Sequence, residues 1–277
     1  MSRKTFVSVI IGVVVVILAV GAFLYKDFRD FCNSSVPIFA YHRVENADDI
    51  YSVLPKDFEE EMAYLQQEGY QSLNLNEYAM ARQKHEKLHK KMVLIFDDGY
   101  LDNLTNAAPI MQKYGYTGSV FLAVKFDGWP GYLDWDHDLK LLKYGWEIGS
   151  HTYTHRALTK LTPEEVNVEL FKSKEFVQGL YCPPSGPTLS YPTGATNKQV
   201  AKQVADAGYI AAVCGVVGVN TDTTPMQELR RVNAFHKKGQ SLTYFKRQLM
   251  KAQLASWSLS HGVNFMGFWD KFKGNVR

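Results

Sequence analysis

Two pairs of residues capable of chemistry follow short apolar runs of the sequence. Asp97 and Asp98 come directly after one run, and His151 and His155 come shortly after another. Each pair alone is more typical of a turn or of ordinary surface histidines. Together, one carboxylate and two imidazoles can bind a divalent metal ion and leave positions open for water. The combination therefore predicts a hydrolytic metal site.

Two further segments are candidates for catalysis. Residues 190–194 form a tight turn after another apolar run, and backbone N–H groups of such a turn can point at a developing oxyanion. A plain structural turn explains the same residues equally well. His42 follows the first apolar run, where an imidazole can act as a general acid. A lone histidine is more often structural, so His42 alone decides nothing.

Short apolar runs alternate with helix-like segments along the chain. The runs are residues 36–41, 92–96, 119–124, 146–149, 189–191 and 210–214. A capping box at residues 162–165 predicts a helix that extends to about Leu180. This alternation is typical of a parallel sheet, and about seven such units in one domain predict a closed α/β barrel. Active groups then lie at the carboxyl ends of the strands.

The composition excludes several classes of protein. Of 277 residues, 46% are apolar and 21% are charged, so the chain is neither disordered nor collagen-like. The formal net charge is only +3, which argues against a nucleic-acid partner. No linker divides residues 31–277, so we expect one domain there. Its aromatic-rich tail, residues 255–277, packs on the barrel, lies on a membrane surface or binds a synthase partner.

Residues 1–30 form a different kind of segment. Residues 6–25 are 20 residues without a charge, preceded by Arg3 and Lys4. At about 1.5 Å per residue, a helix of this length crosses the roughly 30 Å hydrocarbon core of a bilayer. Signal peptides have a shorter apolar region, so we expect a cytoplasmic tip, a single-pass transmembrane anchor and an extracellular catalytic domain. Cleavage at residues 19–21 would instead give a secreted protein.

The motifs resemble those of a known family. Asp97-Asp98-Gly99, His151-(x3)-His155 and Tyr191-Pro192-Thr193-Gly194, in this order, resemble the first three motifs of the polysaccharide deacetylases (the NodB-homology domain, carbohydrate esterase family 4). The resemblance covers about residues 36–235 and implies a distorted (β/α)7 barrel. The family's late Leu-x-Leu-His motif is absent after residue 195. His42 near the start instead resembles the circularly permuted branch, the poly-β-1,6-N-acetylglucosamine N-deacetylases of biofilm matrix synthesis.

The resemblance implies a role for each residue of the site. The ligands of one divalent metal ion would be Asp98, His151 and His155. The ion is commonly Zn²⁺, and some members work with other first-row ions (Co²⁺, Mn²⁺, Fe²⁺ or Ni²⁺). Asp97 would be the general base and His42 the general acid. The backbone N–H of Thr193 would donate a hydrogen bond to the oxyanion.

Three positions depart from the family pattern, and one of them, Ile95 where Thr or Ser is common, is not expected to affect the site. Thr193 stands where the family usually has Tyr, a change that retains the backbone donor. The arginine that opens the third motif and orients the base is absent, and either Arg230 or Arg231 could replace it. For the sugar itself, we expect contacts from Tyr191 and from Trp129, whose Gly- and Pro-rich loop can present the ring for stacking.

These expectations combine into a membrane-anchored, metal-dependent hydrolase that removes N-acetyl groups from an extracellular N-acetylglucosamine polymer. Poly-β-1,6-N-acetylglucosamine is the first choice of substrate. A peptidoglycan N-deacetylase and a catalytically silent glycan-binding module are the alternatives. Besides the glycan and the membrane, a polysaccharide synthase complex is a candidate partner.

Overall fold

The residues that this computed structural model describes, 3–180, 186–235 and 242–264, contain eight α-helices and ten strands. The helices are α1 (Arg3–Ser34), α2 (Pro55–Gln67), α3 (Leu75–Gln83), α4 (Ala108–Lys113), α5 (Trp135–Lys143), α6 (Pro163–Leu180), α7 (Lys198–Asp206) and α8 (Leu242–Ser260). The strands are β1 (Ile38–Tyr41), β2 (Arg43–Val44), β3 (Ser52–Val53), β4 (Gln71–Leu73), β5 (Lys91–Asp98), β6 (Ser119–Leu122), β7 (Glu147–Ser150), β8 (Thr188–Ser190), β9 (Ala211–Val217) and β10 (Leu229–Asn233).

Within these described ranges, seven strands form a closed parallel ring in the order β1, β5, β6, β7, β8, β9 and β10. The ring closes because β1 pairs with β10 on one side and with β5 on the other. The short β4 pairs beside the start of β5, and β2 pairs only with β3. The predicted (β/α)7 barrel is therefore confirmed.

The barrel strands are buried on both faces. On β5, Leu94 packs among residues of the surrounding helices, whereas Ile95 packs with Ala40 of β1 in the barrel interior. All three side chains are fully buried. Because successive residues of a strand point to opposite faces, the next inward positions after Ala40 and Ile95 are His42 and Asp97. The strand period thus brings two candidate catalytic residues to the inner row at the carboxyl ends.

A buried carboxylate fixes the opposite, amino-terminal end of the barrel. Glu147, at the start of β7, is 1% exposed. It accepts hydrogen bonds from the backbone N–H of Asn76 (2.9 Å), the Ser119 hydroxyl (2.8 Å) and the Thr188 hydroxyl (2.6 Å). Ser119 and Thr188 begin β6 and β8, and Asn76 lies in the first turn of α3. The network therefore holds α3 across the starts of three neighbouring strands.

Helix α1 is apolar and exposed over most of its length. Its segment Ile10–Ser34 has a mean hydropathy of 2.2 and is long and apolar enough to be a candidate membrane span. The predicted N-terminal apolar helix is confirmed, and its insertion into a membrane stays a prediction. Near the end of α1, Asp27 accepts a hydrogen bond from the Trp257 indole at 2.7 Å, and Phe28 packs edge-on against the same ring. These contacts fasten the end of α1 to α8.

The aromatic tail is described only in part. Trp257 lies on α8 and packs against α1. The four aromatic residues that follow lie outside the described residues, and they are Phe265, Phe268, Trp269 and Phe272. The alternatives of packing on the barrel and lying on a membrane stay open for that segment.

We expect Glu147→Ala to lower the free energy of unfolding by about 3 kcal/mol or more, because three donors lose their acceptor inside the core. Thermal unfolding followed by circular dichroism measures this loss. Glu164→Ala removes an exposed carboxylate in the first turn of α6 and should leave the unfolding midpoint unchanged. Equal midpoints for the two variants would contradict the importance of the network.

Candidate active site

The adjacent carboxylates end strand β5. Asp97 continues the inner row of this strand and is 1% exposed. Asp98 is the last residue of β5, and its left-handed φ of 75° breaks the extended backbone. The strand still pairs with β6 at this point, where Asp98 lies opposite Leu122. The two carboxylates consequently have different partners.

Two histidines approach Asp98 from the loop after β7. The Nε2 atoms of His151 and His155 lie 3.4 Å and 3.1 Å from Oδ1 of Asp98. The Nδ1 atom of His151 lies 2.7 Å from the carbonyl oxygen of Ser190, which ends β8. A carbonyl can only accept, so the proton of a neutral His151 ring sits on Nδ1 and the Nε2 lone pair is free. This hydrogen bond also fixes the orientation of the ring.

The three side chains fit a divalent metal ion. One ligand atom each from Asp98, His151 and His155 lies within 4.8 Å of the others. Oδ1 of Asp98 is buried, and it is the oxygen that faces the two ring nitrogens. A carboxylate with two imidazoles is a donor set that suits Zn²⁺ and related first-row ions. The structure thus brings the predicted ligands together, and metal binding stays a prediction.

The same three groups shift one another's pKa. Burial acts to raise the pKa of Asp98, but the imidazoles of His155 and His151 outweigh burial and hold this pKa below its usual value. The hydrogen-bonding Asp98 carboxylate raises the pKa of His155, whereas burial lowers the pKa of His151. The carboxylate is therefore held in the deprotonated form that a metal ion requires.

Strained backbone surrounds the pocket. Four non-glycine residues have φ between 60° and 75°, and they are Asp98, Thr152, His155 and Thr193. Side chains other than glycine rarely occupy this left-handed region. Such conformations persist only where the surroundings hold them in place, and they cluster at functional sites.

A carboxylate on α6 holds the loop that contains His155. Glu169 is 4% exposed, and its Oε2 accepts a hydrogen bond from the Thr154 backbone N–H at 2.8 Å. Its Oε1 accepts a hydrogen bond from the Thr154 hydroxyl. Sequence analysis missed Glu169, although a charged residue between the buried Val166 and Leu170 of a predicted helix was an available signal. Because Thr154 directly precedes His155, Glu169 holds the strained backbone of a candidate ligand.

Asp97 is paired with an arginine of β10. Nη1 of Arg231 donates a hydrogen bond to Oδ2 of Asp97 at 2.9 Å, and both residues are buried. Oδ1 of Asp97 is buried too and has no partner in the described part of the chain. Arg230 instead donates to the Ser256 hydroxyl at 3.3 Å. Of the two arginines considered from the sequence, Arg231 is the one that contacts Asp97.

His42 follows β1, the strand that lies between β5 and β10 in the ring. Its ring packs against Tyr51 and Phe235, with centroid distances of 4.9 Å and 5.1 Å. The side-chain amide of Asn103 donates to the His42 carbonyl oxygen at 2.8 Å and so fixes the backbone. Burial lowers the pKa of His42, and two nearby carboxylates only partly oppose this effect.

The three candidate metal ligands, Asp97 with Arg231, and His42 all line one cavity of about 440 Å³. Its lining includes the predicted site residues His42, Asp97, Asp98, His151, His155 and Thr193. Three aromatic residues that the sequence did not indicate, Tyr51, Tyr100 and Phe235, also line it. Aromatic walls around a few convergent polar groups are typical of a ligand-binding pocket.

Thr193 reaches this cavity through a turn that requires glycine. Gly194 has a φ of 70°, and a Cβ atom there would lie only 2.5 Å from the Cα of Gly215. The same Cβ would lie 3.4 Å from Nη2 of Arg231. A side chain at position 194 would therefore displace the turn and press on the arginine that holds Asp97.

The two predicted sugar contacts have different outcomes. Tyr191 is fully buried, and its hydroxyl donates to the Gln227 carbonyl at 2.9 Å. Its side chain packs among helix residues away from the pocket, so this prediction is wrong. Trp129 is 50% exposed and packs 5.1 Å from Phe126, which in turn lies 6.2 Å from the His155 ring. Trp129 stays a candidate for stacking on a sugar.

The fold and the pocket together define a class of protein. It is a parallel (β/α)7 barrel whose strand ends hold one carboxylate with two imidazoles, and a second carboxylate bound to an arginine. The polysaccharide deacetylase family matches residues 84–212. The chain is 32% identical over 200 residues to YxkH of Bacillus subtilis, which is named as a polysaccharide deacetylase, and the match covers 72% of this chain and 71% of YxkH. The chain therefore belongs to the polysaccharide deacetylases, which are hydrolases of N-acetyl amides.

Two relatives have more specific names. The peptidoglycan-N-acetylglucosamine deacetylase PgdA of Listeria monocytogenes is 30% identical over 122 residues, which are 43% of this chain and 24% of PgdA. The poly-β-1,6-N-acetyl-D-glucosamine N-deacetylase of Staphylococcus epidermidis is 23% identical over 201 residues, which cover 61% of this chain and 68% of that protein. The solved Streptococcus pyogenes deacetylase PplD shares the fold, with a TM-score of 0.69 at 22% identity over 79% of this chain and 98% of PplD.

We expect Arg231→Met to lower kcat for deacetylation by about 10²-fold, the cost of a misplaced reacting group. The variant leaves Asp97 buried without its partner, so the carboxylate is no longer held in one orientation. Steady-state kinetics together with the metal content of the purified protein separate this effect from metal loss. Arg230→Met removes the neighbouring arginine and is the matched control. Equal kcat for the two variants would contradict the positioning role.

We expect Glu169→Gln to weaken the affinity for a divalent metal ion by about 10-fold to 100-fold, as loss of a partner that orients a ligand does. The glutamine side chain keeps the volume but loses the negative charge and one acceptor atom next to His155. Competition with a chromophoric chelator for Zn²⁺ measures the dissociation constant. Glu164→Gln, at an exposed position on the same helix, should bind metal like the unmodified protein. If both variants retain full affinity, Glu169 does not support the ligand loop.

Proposed function

We propose that this protein is a metal-dependent hydrolase that removes N-acetyl groups from an extracellular polymer of N-acetylglucosamine. The observation that carries the proposal is the convergence of three candidate metal ligands with Asp97 and His42 on one cavity. Amide hydrolysis needs an electrophilic centre, a base for water and an acid for the leaving amine. The membership in the polysaccharide deacetylases supports N-acetyl groups as the target.

In this proposal, the metal ligands are Asp98, His151 and His155. Zn²⁺ is the first choice, and Co²⁺, Mn²⁺, Fe²⁺ or Ni²⁺ are alternatives. Such an ion lowers the pKa of water and polarises an amide carbonyl. The Ser190 carbonyl supports this assignment, because it keeps the proton of His151 on Nδ1 and leaves Nε2 for the ion.

Asp97 acts as the general base. Its Oδ1 atom accepts the proton of the attacking water, while Oδ2 stays bound to Arg231. Fixing one oxygen presents the other in a constant orientation, which favours proton transfer. The guanidinium therefore positions the base.

His42 acts as the general acid and donates a proton to the departing amine nitrogen. The contact from Asn103 and the packing of the ring against Tyr51 support a constant position for this group. The backbone N–H of Thr193 donates to the oxyanion that forms on the acetamide oxygen. Acetate leaves, and the polymer gains a free amine with its positive charge.

Poly-β-1,6-N-acetylglucosamine, a polymer of biofilm matrices, is our first choice of substrate. The Staphylococcus epidermidis relative that is named for this polymer matches over 68% of its own length, and this supports the choice. Peptidoglycan is the second candidate, favoured by the 30% identity to PgdA. That match covers only 24% of PgdA, so it supports the shared chemistry more than the shared substrate. On the protein, Trp129 is the exposed ring that we assign to the sugar.

We further propose that α1 is a single-pass anchor and that the domain from residue 31 onward lies outside the cell. The support is the exposed apolar segment Ile10–Ser34. Removal of this segment as a signal peptide would give a secreted enzyme with the same site. An enzyme that modifies a polymer at the membrane could associate with the synthase complex that makes it, which is our candidate protein partner.

The substrate test uses the full-length protein in detergent, loaded with Zn²⁺ or Co²⁺. β-1,6-linked N-acetylglucosamine oligomers and peptidoglycan fragments are supplied separately, and free amines and acetate are measured. We expect release from the oligomers alone. Release from peptidoglycan alone would make peptidoglycan the substrate instead. No release from either by the metal-bound protein would favour a glycan-binding module. Asp97→Asn is the control, and it should lose turnover but keep its metal because Asp97 is not a ligand.

We expect His42→Ala to slow turnover by about 10²-fold to 10⁴-fold, the usual contribution of general acid–base catalysis. Its metal content should equal that of the unmodified protein. His89→Ala, which removes an exposed histidine at the other end of the barrel, should remain fully active. Full activity of His42→Ala would make His42 structural and would remove the support for the permuted branch.

A further inference from the structure

The loop between α3 and β5, with the first residue of β5, forms a surface at the amino-terminal end of the barrel. We name residues 84–91 the base loop. The backbone N–H of Lys90 donates to the carbonyl oxygen of Asn33, in the last turn of α1, at 2.9 Å. The end of α1 lies at the end of the barrel where the strands begin, because β1 starts at Ile38, shortly after α1 ends. Because all strands of the ring are parallel, the catalytic cavity lies at the opposite end of the barrel.

The base loop is rich in positive charge. Its lysines are Lys84, Lys87, Lys90 and Lys91, and its one acidic residue is Glu86. Lys84 and Lys87 are exposed, and neither takes part in an ion pair within the described ranges. His85 and His89 of the same loop are also exposed.

Two acidic groups of neighbouring segments have partners, whereas Glu86 within the loop is exposed and lies in no ion pair of the described residues. The Glu77 carboxylate accepts a hydrogen bond from the backbone N–H of Asn74 at the start of α3. Asp222 lies 3.8 Å from the guanidinium of Arg82. The four lysines of the loop outnumber the one carboxylate of Glu86, so a net positive charge is available to an external anion.

The base loop contacts α1 at Asn33, and the height of this contact along the helix places the loop near the surface of a bilayer. The uncharged stretch of α1 ends at Tyr25, and Asn33 lies eight residues further along the helix. At about 1.5 Å per residue this is a rise of about 12 Å. The headgroup layer adds about 5–8 Å beyond the hydrocarbon core, so the base loop lies within about one Debye length of the headgroups.

A second contact limits how far the barrel can tilt away. Asp27, only two residues beyond Tyr25, binds the Trp257 indole and lies 3.2 Å from Nε2 of His261. The end of α8 therefore meets α1 close to the edge of the apolar stretch. Two attachments at different heights, at Asp27 and at Asn33, hold the barrel at a defined orientation relative to the helix.

From this geometry we propose that the base loop is a lipid-facing surface that binds the anionic headgroups of the bilayer crossed by α1. The catalytic cavity then faces away from the membrane, toward glycan outside the cell surface. This inference rests on the anchor proposed for α1. It does not depend on which glycan is deacetylated.

The test uses the full-length protein in nanodiscs of phosphatidylcholine alone or with phosphatidylglycerol at about 30%, a content that makes the surface clearly anionic. Lysine acetylation by a water-soluble reagent is followed by mass spectrometry. We expect Lys84 and Lys87 to react about fivefold more slowly in the anionic discs, and high salt to remove the difference. Lys198, an exposed lysine at the cavity end, should react equally in both.

Matched variants and a soluble anion sharpen the test. Lys84→Gln with Lys87→Gln should bring the reactivity of Lys90 in anionic discs to its level in neutral discs, and Lys198→Gln should not. Equal reactivity of Lys84 and Lys87 in both discs would overturn the proposal. Protection by inorganic phosphate in neutral discs, equal to that by anionic lipid, would also overturn it in favour of a free phosphate site.

The same discs separate this inference from the proposed function. Deacetylation of oligomers is measured in parallel. If the oligomers are deacetylated but anionic lipid does not protect Lys84 and Lys87, the base-loop proposal alone is wrong. If anionic lipid protects these lysines but no N-acetylglucosamine polymer is deacetylated, the proposed function alone is wrong. If the intact protein does not stay with the discs, the anchor and the base-loop proposal are both wrong.

Discussion

The buried ion pair between Asp97 and Arg231 is the interaction on which the rest of the site depends. In the ring, β1 lies between β5 and β10, so this pair bridges two strands across the strand that leads to His42. Three neighbouring strands therefore place a carboxylate, an imidazole and a guanidinium near their carboxyl ends. A buried charge is costly unless it is paired, and this pair occupies only one oxygen of Asp97. The other oxygen is left for chemistry without leaving the carboxylate free to rotate.

The candidate metal ligands depend on a different principle, because each is held by a separate element. The Ser190 carbonyl on β8 orients His151, and Glu169 on α6 holds the loop of His155. Asp98 is placed by the end of β5 itself, in a backbone conformation that a non-glycine residue rarely adopts. Convergence of the three therefore requires that β5, β8 and α6 keep fixed relative positions. A closed barrel supplies this, since displacing one strand of the ring disturbs both of its neighbours.

Much of this arrangement could be predicted from sequence, because barrel strands are apolar runs and their functional residues directly follow them. Sequence could not tell which of Arg230 and Arg231 contacts Asp97. Both faces of a barrel strand are buried, so the pattern of apolar residues does not distinguish the inward face from the outward one. The flanking Leu229 and Val232 pack in different clusters, so apolar neighbours do not tell which arginine points inward. The same two-sided burial explains the error at Tyr191, which follows a strand but points away from the pocket. Glu169 acts through a contact between distant segments, which no local pattern reveals.

The two ends of the barrel differ in how their buried polar groups are satisfied. At the amino-terminal end, Glu147 receives three hydrogen bonds and closes the core under α3. At the carboxyl end, Oδ1 of Asp97 has no hydrogen-bond partner among the described residues, and Oδ1 of Asp98 faces the two imidazoles. Buried polar atoms without partners cost free energy, so they persist only on a scaffold that is stable elsewhere. The carboxyl end of the barrel therefore retains carboxylate oxygens that can bind a metal ion or a substrate.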